Sequence, residues 1–203
     1  MFEKFFPDRY VASTYVIDFE KLYKNGIRGL IFDIDNTLVP HGAPADERAI
    51  RLFKRLKEIG FSCCLISNNQ EKRVRTFNEP IQVDYVYNAH KPSTKNYKKA
   101  MEIMGTDVSD TVFIGDQLFT DVWGAKRTGI PSILVRPIHP KEEIQIVLKR
   151  YLENIVLHFY KKSLEKEKRL KKAVNYYKMV KVNKNAMCRG KARFKEDYNG
   201  FSR

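Results

Sequence analysis

The chain has 203 residues, 43 % of them apolar and 12 % aromatic, which is enough for one domain with a core and too few for two large ones. The formal charge is +14 and uneven: residues 1–140 hold 20 basic and 17 acidic side chains, residues 141–203 hold 18 and 7. The longest run without Asp, Glu, Lys or Arg is Ile59–Gln70, too short for a membrane-spanning helix, and Cys63, Cys64 and Cys188 form neither a disulfide framework nor a Cys-x-x-Cys zinc pair.

The elements follow in chain order. No apolar run of signal-peptide length follows Met1, so the chain reads as cytoplasmic. Gly29–Phe32 predicts a short buried strand that ends at Asp33. Ala45–Ile59 predicts a helix with Ile50, Phe53, Leu56 and Ile59 along one face, closed by Gly60. Phe61–Ile66 predicts a strand, Gln70–Phe77 a short helix and Tyr85–Tyr87 a strand. Thr94–Met104 predicts a helix, Thr111–Ile114 a strand, Phe119–Thr128 a helix and Pro131–Val135 a last strand. Alternation of this kind implies an α/β fold: a doubly wound, Rossmann-like parallel sheet with helices on both faces. Its ligand site is expected at the C-terminal ends of the strands.

Each strand end carries chemistry. Asp33-Ile34-Asp35-Asn36-Thr37 follows the first strand, Ser67-Asn68-Asn69 the second, His90-Lys91-Pro92 the third, and Gly115-Asp116 through Asp121 the fourth. Several carboxylates at one crevice suit a hard cation such as Mg2+, and a lysine with a serine beside them suits a phosphoryl group. Asp33 can act as the nucleophile and form an aspartyl-phosphate. Asp35 can protonate the leaving oxygen and then activate the hydrolytic water. Asp33, the Asp35 carbonyl and Asp116 are the expected metal ligands, with Asp121 as an outer partner. Ser67, Asn68 and Lys91 are the expected phosphate contacts. His41, Arg73 and Arg75 read mainly as surface residues, with a second phosphate as the alternative for the two arginines. Trp123 reads as packing.

In order and spacing these motifs resemble those of the haloacid dehalogenase superfamily of phosphatases: Asp-x-Asp-x-Thr, Ser, Lys and Gly-Asp-x-x-x-x-Asp over about residues 8–138. Thr37 enters the candidate catalytic set through that resemblance. The second aspartate of the first motif implies a phosphatase rather than a dehalogenase. The intervals from Asp33 to Ser67, Lys91 and Asp116 leave no room for an inserted cap domain, which resembles the capless IIIA subclass. Phe6-Pro7-Asp8, Asp35 to Val39, Ser67 to Val74 and Gly115 to Val122 are similar to the YqeG family, itself similar to the mitochondrial phosphatidylglycerophosphate phosphatases. The resemblance implies removal of the terminal phosphate of phosphatidylglycerophosphate. A soluble phosphomonoester is the alternative substrate.

The notional division is a phosphatase core over 1–140, an amphipathic and basic helical region over 141–181, and a disordered basic tail over 182–203. Ile144, Val147, Leu148, Tyr151, Leu152, Ile155, Val156 and Phe159 cover about half of a helical cylinder, flanked by Lys149, Arg150, Lys161 and Lys162. That face either packs on the sheet or lies against anionic phospholipid as a peripheral anchor on the inner membrane face. A nucleic-acid or ribosome partner is the third reading of the arm, but the arm lacks an aromatic-and-glycine RNA motif.

Overall fold

A computed structural model describes residues 2–139 and 151–171. Six strands, all parallel, form one sheet: β1 (Arg9–Val11), β2 (Gly29–Phe32), β3 (Ser62–Ile66), β4 (Asp84–Val86), β5 (Thr111–Gly115) and β6 (Ser132–Val135). Their order is β1-β6-β5-β2-β3-β4. From β2 the chain builds outward through β3 to β4, then returns to the other side of β2 with β5. The direction of winding therefore reverses between β2 and β5, where such sheets open a crevice.

The period-two alternation of each strand explains the two-layered covering. Leu30, Phe32, Cys63, Leu65, Val112 and Ile114 face one way, into a core shared with α1 (Phe19–Lys24), α2 (Glu47–Ile59) and α3 (Glu71–Asn78). Ile31, Cys64, Ile66 and Phe113 face the other way, against α4 (Thr94–Met104) and α5 (Trp123–Thr128). A sheet buried on both faces needs near-continuous apolar strands, as β2, β3 and β5 are. No domain is inserted between β2 and β5, so nothing folds over the crevice from within that span.

The helix over Ala45–Ile59 begins two residues later, because Asp46 caps it by accepting from the Ala49 amide at 2.7 Å. Its buried face is Ala49, Leu52, Phe53 and Leu56, while Ile50 and Ile59 lie at its margin. Gly60 closes it at φ +105°, where a side chain would also meet the Tyr23 ring. The helix expected over Phe119–Thr128 divides into a π-helical turn (Leu118–Val122) followed by α5.

Among the described strands and α-helices of residues 2–139, two escape the sequence pattern, β1 and α1. β1 is three residues long and joins the edge beyond β6, where the Asp8 carboxylate accepts from the Ser132 amide and hydroxyl. Residues 151–171 are helical. By its internal contacts the chain divides into two units, residues 1–157 and 158–203. Residues 141–150 and 172–181 of the helical region expected over 141–181, and the tail 182–203, lie outside the described residues.

Candidate active site

The sheet delivers four strand ends to one place. Asp33 follows β2, and its amide donates to the Ile114 carbonyl of β5, so the sheet hydrogen-bond ladder itself sets it in position. The next residues form a tight loop: the amides of Thr37, Leu38 and Val39 converge on the Ile34 carbonyl, and Asn36 takes φ +62°. The loop is held from outside, as the Thr14 hydroxyl donates to the Thr37 carbonyl and the Tyr15 hydroxyl to the Leu38 carbonyl. Inside, the Thr37 hydroxyl lies 3.1 Å from Asp33 Oδ2 and 3.3 Å from Asp116 Oδ1, tying the β2 end to the β5 end.

Lys91 is buried and donates to Asp33 Oδ1 at 2.5 Å and to Asp121 Oδ1 at 2.7 Å. Asn68 grips the Lys91 backbone at both its amide and its carbonyl, and so sets the lysine from the end of β3. Asp121 turns back over the β5 end: its Oδ2 accepts from the amides of Asp116 and Gln117. Gly115 makes room for that turn, because a Cβ there would collide with the Asp121 carboxylate. The π-helical turn places Asp121 in this position, and the Tyr97 hydroxyl fixes it by donating to the Thr120 carbonyl.

Asp33, Asp116 and Asp121 are all buried, and one oxygen from each lies within 4.8 Å of the others. Burial pushes the Asp33 carboxyl up to about 6, against the pull of the Lys91 ammonium and with the push of Asp121. Burial alone would lower the Lys91 ammonium, but Asp121 and Asp33 outweigh it and hold the lysine charged. Two of the three carboxylates share the one ammonium, and the excess of negative charge and the hard oxygen donors fit Mg2+.

Asp35 lies apart from this trio. Its Oδ1 accepts from the Gly42 amide at 2.7 Å and from Arg73 Nη2 at 2.9 Å, and its Oδ2 accepts from Asn69 Nδ2 at 2.7 Å. His41 Nδ1 is 4.0 Å away. The Asp35 side chain is therefore no member of the converging carboxylates, and only its backbone carbonyl is left as a metal donor. Ser67 is buried, and its hydroxyl accepts from the Asn69 amide at 3.1 Å. The candidates Asp33, Thr37, Ser67, Lys91, Asp116 and Asp121 thus gather at the crevice, with Asp35 on its rim.

Arg73, Asn69 and Gly42 as partners of Asp35 were missed by sequence reasoning, since these contacts join residues up to 38 positions apart. Glu153 was missed as well. It is 4 % exposed and accepts from the Leu118 amide at 2.7 Å, anchoring the start of the turn that carries Asp121. Its only signal in the sequence was an acid set among Leu152, Val156 and Leu157. Trp123 packs edge-on against Phe5, as expected of a structural residue.

An open crevice of this composition, on a sheet of this order, defines a phosphatase of the haloacid dehalogenase type. The HAD-hydrolase-like family model matches residues 88–137. The chain is 39 % identical to the probable phosphatase YqeG of Bacillus subtilis over 164 residues, 80 % of this chain and 95 % of that one, and it belongs to that family. It is 25 % identical to phosphatidylglycerophosphate phosphatase 1 of Arabidopsis thaliana, over 79 % of this chain and 48 % of that protein, so it spans about half of that relative. Among solved structures, NagD from E. coli K-12 is similar over 60 % of this chain and 91 % of that one, with 13 % identity and a TM-score of 0.46.

Proposed function

We propose that the protein hydrolyses a phosphomonoester through an aspartyl-phosphate on Asp33, with phosphatidylglycerophosphate as the substrate. The observation that carries the chemistry is the buried group of Asp33, Lys91, Asp116 and Asp121 at the switch point of the sheet. Asp33 attacks phosphorus in line, its carboxylate being ionised near neutral pH. Lys91 holds that carboxylate in place and offsets charge as the phosphoryl group approaches. Ser67 and the backbone amides beside it receive the phosphoryl oxygens. Asp35 gives a proton to the leaving oxygen and then takes one from the water that releases phosphate. Arg73, Asn69 and Gly42 hold its carboxylate ready for that second task. Asp33, Asp116 and the Asp35 carbonyl would hold Mg2+, with Asp121 as an outer partner. The ion, when bound, supplies charge neutralisation between carboxylate and phosphate.

The lipid substrate is supported by the similarity to the Arabidopsis phosphatase and by the basic C-terminal region. Within residues 151–157, Tyr151, Leu152 and Ile155 are exposed on helix. Within 158–171, Phe159, Leu164 and Leu170 are exposed beside Lys161, Lys162, Lys166, Lys168, Arg169 and Lys171. Apolar and basic side chains together on helix suit the headgroup region of an anionic membrane. No helix among the described residues is long and apolar enough to cross one. We place the protein at the cytoplasmic face of that membrane, as a peripheral enzyme.

The test is phosphate release with Mg2+ from phosphatidylglycerophosphate in mixed micelles, against a panel of soluble phosphomonoesters. Asp33→Asn should lower turnover at least about a thousandfold, because an amide is neither a nucleophile nor an anionic ligand. Preference for the lipid supports the whole reading. Turnover of soluble esters alone discards the lipid, and a near-normal rate in Asp33→Asn discards the nucleophile.

A further inference from the structure

Among the described residues, a cavity of about 660 Å³ opens where β3 and β4 begin, beside Ser62 and Asp84, at the end of the sheet away from the carboxylates, and one of about 520 Å³ lies beside Arg75, Asn78 and Gln82. A third, about 450 Å³, is lined by His41, Gly42, Pro44, Asn69, Gln70, Lys72, Arg73 and Thr76. Its size falls in the range of small-ligand sites. Three of those eight residues, Gly42, Asn69 and Arg73, are the very groups that hydrogen-bond the Asp35 carboxylate. The cavity therefore adjoins the group assigned to protonate the leaving oxygen, within reach of whatever is bonded to that oxygen.

Its charge is one-sided. Lys72 and Arg73 line it and no carboxylate does. Asp35 itself is shared among Arg73, Asn69 and Gly42, and takes up only one of the guanidinium's nitrogens. Arg73 Nε is buried without a hydrogen-bond partner, and the side chain is 17 % exposed. A guanidinium that is partly exposed at the cavity wall, a second cation one residue before it and two amide side chains make a receptor for a tetrahedral anion. A simple alcohol leaving group would leave these donors without use.

We propose that this cavity is a leaving-group subsite for a second, non-reacting phosphate, held by Arg73 and Lys72. The inference rests on the roles proposed for Asp33 and Asp35 and narrows the substrate to molecules with two phosphates. The reacting one is a monoester, and the other lies a few bonds beyond the leaving oxygen. The phosphodiester of a phospholipid headgroup has this form, and so does a soluble bisphosphate. Arg73 has two functions there: one nitrogen keeps Asp35 in position and another meets the second phosphate.

The full-length protein tests this in water, without lipid, on three substrates: methyl phosphate, the deacylated headgroup glycerophosphoglycerol phosphate, and a hexose bisphosphate. The parent should prefer a doubly phosphorylated substrate. Lys72→Gln and Arg73→Gln should each lower the ratio of kcat/KM for that substrate over kcat/KM for methyl phosphate by about tenfold or more. Arg75→Gln, on the same helix but outside the cavity, should leave the ratio unchanged. A ratio that falls for the headgroup names the lipid. A ratio that falls only for the hexose bisphosphate keeps the subsite and discards the lipid. Equal rates for all three substrates in the parent, or equal losses on all three in the variants, overturn the subsite. Ligand-observed NMR with glycerophosphoglycerol, which carries no phosphomonoester, reads the subsite apart from turnover. Broadening in the parent that is lost in the Lys72→Gln, Arg73→Gln double variant supports it, and broadening that persists overturns it.

Discussion

Burial acts in opposite ways in two regions of one sheet. In the body of β3 it keeps Cys63 and Cys64 neutral, pushing both thiols up to about 12, and at Cys64 the pull of Lys99 is too weak to offset burial and the Asp84 charge. At the carboxyl edge it encloses Asp33, Asp121 and Lys91 just as tightly, yet the lysine stays charged. Desolvation opposes charge in both places. The difference is that the edge supplies charged partners within hydrogen-bond distance, whereas in the body the one cation that acts on Cys64 does not outweigh burial. A strand can thus pass from inert core to reactive site within four residues, from Cys63 to Ser67.

Removing the partner should break this contrast most severely. Lys91→Met leaves Asp33 and Asp121 facing each other in a buried site with no ammonium between them. Loss of one member of a buried pair costs about 3–5 kcal/mol. The melting temperature should fall accordingly, and turnover should fall with it. Mg2+ should raise the melting temperature of the variant more than that of the parent, since a cation then replaces the missing charge. Equal Mg2+ shifts in both proteins would show that the carboxylates do not depend on Lys91 for neutralisation.

Asp35 sharpens the contrast from the rim. Its carboxylate is surrounded by an amide N–H, an asparagine and an arginine rather than by other carboxylates. Asp35→Asn should slow turnover by about 10²- to 10⁴-fold, as loss of acid–base catalysis does. Phosphoenzyme should build up if dephosphorylation suffers more, and rapid-quench trapping of labelled protein would detect it. Because Asp35 is outside the buried trio, its melting temperature should change far less than that of Lys91→Met. A comparable loss of stability would merge the two regions into one.

The edge was largely legible in the sequence, because the candidate residues lie within a few positions of apolar strand ends, and the parallel sheet follows from strand–helix alternation, whereas the strand order does not. What stayed hidden depends on contacts across the chain. β1 is three residues long, too short to show a period. Asp35's partners and Glu153's amide contact are 7 to 38 positions away. The buried face of α2 was drawn one row off, because Ile50 and Ile59 share its spacing but lie at its margin. Glu153 offers a test of the hidden part. Glu153→Ala leaves the buried Leu118 amide without this acceptor, which costs about 1–3 kcal/mol, while Glu153→Gln keeps an acceptor oxygen and should cost less. Thermal unfolding of the two variants decides this, and equal losses would assign the effect to charge rather than to the amide.

The smallest effect is expected in the body of the sheet, and it is a matter of pH. Each thiol there ionises near 9 when free and near 12 when folded. Between those values the unfolded chain binds fewer protons than the folded one. The contribution of the two cysteines to stability is therefore complete below about pH 9 and declines as pH rises toward 12. At pH 8.5 a free cysteine of that kind is about a quarter thiolate, whereas Cys63 and Cys64 should remain almost wholly protonated and shielded by the helices on either face. Iodoacetamide labelling at that pH, mapped by peptide mass spectrometry, should leave both unmodified in the native protein and modify both in denaturant. Labelling of native Cys63 or Cys64 at the rate of a free thiol would mean that β3 opens to solvent, and the distinction between an inert body and a reactive edge would fail at the strand that joins them.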